Sequence, residues 1–112
     1  MSDVVKLYDQ ATQLKAEGNL EGAADKLREA LALDPSYALG YAALAVVLQR
    51  LGHHDDAIAA AQKVCELEPN DAFSFTALSV TYQRAYAGTG QNGYIRFAEE
   101  AMERSRVMGH SH

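Results

Sequence analysis

The string Gly88-Thr89-Gly90-Gln91-Asn92-Gly93 has the G-x-G-x-x-G spacing that lets a backbone approach a pyrophosphate. It opens a helix-like stretch whose free amides would hold an anion. A dinucleotide site also needs a strand before the glycines and an acidic residue about 20 positions after them. A helical pattern precedes this string instead, and Glu100 and Glu103 come too soon. The glycines therefore read as a flexible, lengthened turn. The histidines fall in two places, His53-His54 and the end Gly109-His110-Ser111-His112. Two imidazoles without a third or fourth donor do not close a metal site. No metal is expected, and His53 and His54 read as solvated turn residues. Cys65 is the single cysteine, so no internal disulfide forms and a reducing compartment is the default. It reads as a buried small hydrophobe, because no positioned base accompanies it as a nucleophile requires. The neighbours Asp55-Asp56 and Glu99-Glu100 diverge on a helix and read as solvated charge. The expectation is a non-enzyme with no cofactor.

Composition narrows the classes further. The chain has 112 residues, 10 basic and 15 acidic, for a net charge of −5, and 48% of it is hydrophobic. That suits one domain with its own core rather than a disordered tail. The acidic balance argues against nucleic acid, which needs clustered Lys and Arg. The first residues, Met1-Ser2-Asp3-Val4-Val5-Lys6, show no basic region followed by an apolar run. The longest apolar stretch, Leu39 to Leu48, is too short for a bilayer, which takes about 20 residues. No membrane partner and a cytoplasmic location are expected.

The elements that position these residues repeat. Gly18 and Gly52 are 34 apart, as are Ala23 and Ala57, Leu33 and Leu67, and Pro35 and Pro69. Between them, apolar residues recur at helical spacing: Leu7, Ala11, Leu14; Tyr41, Leu44, Ala45, Leu48; Phe75, Leu78, Ser79, Tyr82. Nothing alternates as a strand would. Helices are predicted over 3–16, 20–33, 36–50, 54–67, 70–86 and 93–108. Ser2 and Asn19 serve as N-caps, Asp55 and Asp56 favour the start of the fourth helix, and the prolines fit turns or first helical positions.

On these residues the chain resembles three tetratricopeptide repeats (TPRs), a family built on a 34-residue helix–turn–helix unit. In that register the units cover about 4–37, 38–71 and 72–109 in one domain over 1–109, with a short tail at 110–112. Leu7, Tyr41 and Phe75 fill the large site of the first helix, and Ala11, Ala45 and Ser79 the small site. Ala23 and Ala57 fill the small site of the second helix. The third unit departs: its turn glycine is Gly93, 41 after Gly52, so seven residues are inserted as an extended turn over 86–92. Ala98 then takes the small site, followed by Met102 and Ser105. The resemblance implies an all-α fold of stacked antiparallel hairpins in a short right-handed superhelix, with the first helix of each unit lining the concave side. It also implies a non-catalytic scaffold or adaptor. Some members grip chaperone tails with groove Lys and Asn. Here those positions hold Tyr8, Thr12 and Ala43, so that clamp is not expected.

The first helices carry a second stripe where solvent-facing polar residues would be normal. It comprises Val5, Tyr8 and Thr12; Leu39, Ala42 and Val46; and Phe73, Thr76 and Val80. Lys15, Gln49 and Gln83 continue it, with Arg50 and Arg84 beside the last two. Two readings compete. One is ordinary self-packing, since scattered surface apolar residues are common. The other is a groove with an apolar floor and a basic lip that holds a peptide or amphipathic helix bearing acidic residues. A further expectation concerns the last hairpin. Ile95, Ala98, Met102 and Met108 would leave a stacking face uncovered, and self-association through it would make the chain a structural subunit.

Overall fold

The computed structural model describes residues 2–109; residues 110–112, with His110 and His112, lie outside it. Six helices follow one another: α1 (Asp3–Ala16), α2 (Leu20–Leu33), α3 (Ala38–Arg50), α4 (His54–Leu67), α5 (Ala72–Thr89) and α6 (Gly93–Gly109). No strand occurs among the described residues. Three-residue turns join α1 to α2, α3 to α4 and α5 to α6, and four-residue links join the hairpins. Turns that short make each pair antiparallel. Later hairpins stack on earlier ones through α2–α3 and α4–α5 packing.

Local chemistry explains the boundaries. Ser2 accepts from the Val5 amide and Asn19 from the Gly22 amide, so both caps form. Gly18 and Gly52 adopt φ of 85° and 82°. The following amides reach back to Leu14 O at 2.8 Å and Leu48 O at 2.9 Å. That closes each helix with the left-handed glycine cap that a side chain would strain. The third and fifth helices start two residues later than periodicity predicts. Asp34 accepts from the Ser36 amide and hydroxyl, holding Pro35 and Ser36 in a turn, and Asp71 caps α5 through the Phe73 amide.

The seven inserted residues correct the expected lengthened turn. In register with α3, helix α5 should end at Arg84, yet it runs to Thr89; in register with α4, α6 should begin at Ile95, yet it begins at Gly93. The insertion is thus almost two extra helical turns, five residues on α5 and two on α6, and the linking turn keeps its length. Gly90 alone of the three motif glycines takes a positive φ, 74°. Gly88 lies within α5, where a Cβ would collide with the His54 ring. His54 is therefore half-buried against α5, not solvated, and its Nδ1 is buried without a hydrogen-bond partner in the structure. Tyr94 of α6 donates to Asp55 at 2.9 Å. The lengthened hairpin thereby buttresses the start of α4.

The core runs through all three hairpins. Ala23, Ala30, Val47, Ala57 and Ala85 are fully buried, and Leu27 and Ser79 nearly so. Alanine at helix crossings lets backbones approach closely, and Ser79 satisfies its hydroxyl by donating to Ala98 O at 2.7 Å.

Candidate binding groove

The stripe residues sit on the odd-numbered helices, and the structure brings part of the stripe into one hollow. Ala42, Val46 and Gln49 of α3 face Ala77, Val80 and Thr81 of α5 across a cavity of about 310 Å³. Ala45, Ala61, Val64 and Ser74 complete its walls. That volume lies at the low end of the roughly 300–1,000 Å³ typical of ligand pockets. Leu39 and Phe73 lie outside the hollow and are strongly exposed, Phe73 at 82%. Val5 is exposed, and Tyr8 is half-buried with its ring edge-on to Tyr37, centroids 6.0 Å apart. Thr12 turns its hydroxyl back to Tyr8 O.

Two stripe residues point elsewhere. Thr76 shares a 2.6 Å hydrogen bond with Ser105 of α6, and Gln83 donates to Ser79 beside the α5–α6 crevice. The expected row and its continuation therefore split, with Val80 serving the central hollow and Thr76 and Gln83 the final hairpin. Periodicity alone did not single out Ala61, Val64, Ala77 and Thr81. Their signal was available in the repeat register, where Ala42 and Ala61 stand in the places of Tyr8 and Leu27.

That exchange explains why the hollow exists. In the first joint, Tyr8 and the nearly fully buried Leu27 occupy the equivalent space. In the second, two methyl groups replace them, and the surrounding helices do not collapse to fill the difference. Thr81, standing where Val47 packs, ties its hydroxyl to Ala77 O at 2.9 Å.

Charge is segregated by helix. Every salt bridge among the described residues lies on α2, α4 or α6, between side chains three or four apart. Lys15, Arg50 and Arg84, on α1, α3 and α5, enter none of them. Neither α3 nor α5 contains an Asp or Glu. The charges on α3 and α5 are therefore the cations Arg50 and Arg84, with no carboxylate on either helix. Within the third hairpin, Arg104 stacks on Phe75 at 5.2 Å. Burial pushes the Cys65 thiol up, against the opposing pull of Arg104, and its sulfur lies 3.4 Å from Ser74 O. It is a buried packing group, 8% exposed, without thiolate character. Among the described residues no cluster of His, Cys, Asp and Glu is arranged to hold a metal, and no helix is long and apolar enough to cross a membrane.

Comparison with known folds agrees with this architecture. The crystal structure of MamA superposes with a TM-score of 0.80 at 24% identity, covering 95% of this chain and 58% of that one. A CopN–Scc3 complex gives 0.80 at 16% identity, covering 97% and 60%. The second TPR of Spaghetti (RPAP3), bound to the HSP90 peptide SRMEEVD, gives 0.78 at 17% identity, covering 96% and 93%. The chain thus spans about three fifths of the length of the first two. No curated protein matches it by sequence. Residues 13–52 match the family model described as TPR repeat, and residues 38–71 match the model described as tetratricopeptide repeat. With six helices in three hairpins and the small residues of the repeat buried in register, the chain belongs to the tetratricopeptide-repeat family.

Proposed function

We propose that this chain is a non-catalytic interaction module that holds a segment of another protein against α3 and α5. One bulky apolar side chain of that segment enters the hollow walled by Ala42, Val46, Ala61 and Val80. Its acidic residues lie near Lys15, Arg50 and Arg84. The observation that carries this reading is an apolar cavity between α3 and α5, two helices that carry Arg50 and Arg84 and no carboxylate. Burying apolar area supplies the affinity at roughly 25 cal/mol per Å² before the cost of ordering the segment. The positive rim orients it and speeds the encounter. Structural neighbours of this fold carry bound peptides, among them SRMEEVD and an Hsp70 peptide on the TPR2B domain of yeast Sti1.

Selection of a random 12-residue peptide display library on the immobilised chain tests the proposal. Enriched peptides carry a large apolar residue flanked by Asp or Glu. Val46→Glu and Val80→Glu each lose those peptides while keeping the helical circular dichroism of the parent. Failure to enrich any sequence class, or equal capture by the Val46→Glu chain, overturns it.

A further inference from the structure

Within the chain, each hairpin but the last has its open side covered by the next. Beyond α6 an open crevice of about 390 Å³ remains, with Tyr86, Ile95 and Met102 on its rim and the buried Ala98 in its floor. We propose that this end is covered by α6 of a second copy of the chain, the two helices running antiparallel about a two-fold axis near Met102.

Ile95, Glu99, Met102 and Arg106 recur at spacings of four, three and four, which makes one continuous stripe on α6. Ile95 and Met102 are 39% and 38% exposed. Met102 forms a ridge between two depressions, the crevice toward α5 and a shallower one of about 640 Å³ beside Glu103 and Arg106. A two-fold copy seats each Met102 in a depression beside the other, and the unbranched thioether adapts to such a fit.

Charge sets the direction. In an antiparallel pair centred between Met102 and Glu103, Glu99 of each copy faces Arg106 of the other, so one contact is made twice. Glu99 enters no salt bridge among the described residues, and Arg106 has only an exposed one to Glu103, three residues back on the same helix. Such exposed pairs contribute little and yield readily to a better partner. A parallel pair would set like charges together.

The exposed face of α1 does not suit a head-to-tail stack. Where α3 uses Gly40, Ala43, Leu44 and Val47 against the first hairpin, α1 has Lys6, Asp9, Gln10 and Gln13, all exposed. Pressing them onto Ile95 and Met102 would strand polar groups on an apolar surface. The contact therefore closes as a dimer rather than growing as a filament. A single helix pair is a small contact beside the roughly 1,200–2,000 Å² of standard stable interfaces, so the dimer forms with rising concentration.

Sedimentation equilibrium of the full chain across a concentration series tests this with four samples: wild type, Glu99→Arg, Arg106→Glu, and an equimolar mixture of the two variants. Wild type passes from monomer to dimer mass. Each variant alone dimerises at least about tenfold more weakly, since like charges then face each other twice. The mixture regains wild-type dimerisation, because both cross-pairs are again opposite in sign. A wild type that stays monomeric, a ladder of larger species, variants that dimerise normally, or a mixture that fails to recover each overturns the proposal. Both positions are exposed, and recovery in the mixture shows that both variants are folded.

Discussion

The two joints of this three-hairpin stack are built from the same register and filled differently. Where the first and second hairpins meet, Tyr8 and Leu27 occupy the space between helices, and Leu27 is 1% exposed. Where the second and third meet, Ala42 and Ala61 hold the same places and a cavity of about 310 Å³ remains. One joint is closed and contributes stability, while the other is held open by its frame. The cost of openness at the second joint is offset by contacts that the first lacks. These include the Gln62–Tyr82 hydrogen bond at 2.9 Å, the Tyr94–Asp55 hydrogen bond, and α5's added turn lying over His54.

The largest effect that separates the joints is a truncation. Leu27→Ala should cost about 2–5 kcal/mol in denaturant unfolding, since it opens a cavity in a closed joint. Ala61→Leu, the reverse exchange, should move stability by less than about 1.5 kcal/mol because there is room for the added atoms. If the two substitutions prove equally damaging, the joints are not different in packing.

Next in size is the transplant of Tyr8's role. Ala42→Tyr should fill the open joint, leave the unfolding midpoint near that of the parent, and weaken the library-selected peptides by about tenfold or more. Fluorescence titration reads that loss. Gly18→Ala and Gly52→Ala provide a control common to both joints. Each forces a side chain into positive φ and should cost about 1 kcal/mol, equally at the two turns. Unequal losses in thermal unfolding would show that the hairpins themselves, not only their joints, differ.

The smallest effect concerns the strap at the second joint. The hydrogen bond to Asp55 raises the Tyr94 hydroxyl above its ordinary 10.0, aided by partial burial. The folded state therefore favours the neutral phenol. The stability it brings is complete below the unfolded-state value and is lost as pH rises through the raised folded-state value. Tyr94→Phe should remove that alkaline loss. Urea unfolding at neutral pH and in the alkaline range, compared between the parent and Tyr94→Phe, checks it.

Much of this architecture was legible in the residues. The 34-residue offset located the first four helices within two residues, because Gly18, Gly52 and the small alanines mark turns and crossings that no other residue type fills equally well. The third hairpin was less legible. Gly88, Gly90 and Gly93 look like a loop, yet helix formation propagates through Tyr86 and Ala87, and Gly88 is tolerated because His54 occupies the space of its missing side chain. Val47, fully buried, escaped the single-stripe reading because α3 is packed on more than one side. The hollow needed the structure for a different reason. Sequence shows Ala42 opposite Tyr8 in register, but whether a smaller residue leaves a void or draws its neighbours inward depends on how rigidly the surrounding helices are held.

The central claim is that the second joint receives a partner's side chain. Backbone and methyl NMR shift mapping, with a peptide from the display selection, tests it most directly. Perturbations concentrated on Ala42, Val46, Ala61, Val64, Ala77 and Val80, and absent from the Ala42→Tyr chain, are the predicted result. Perturbations centred instead on Arg28, Ala59 and Lys63 of the even-numbered helices, with the hollow unchanged, would contradict it.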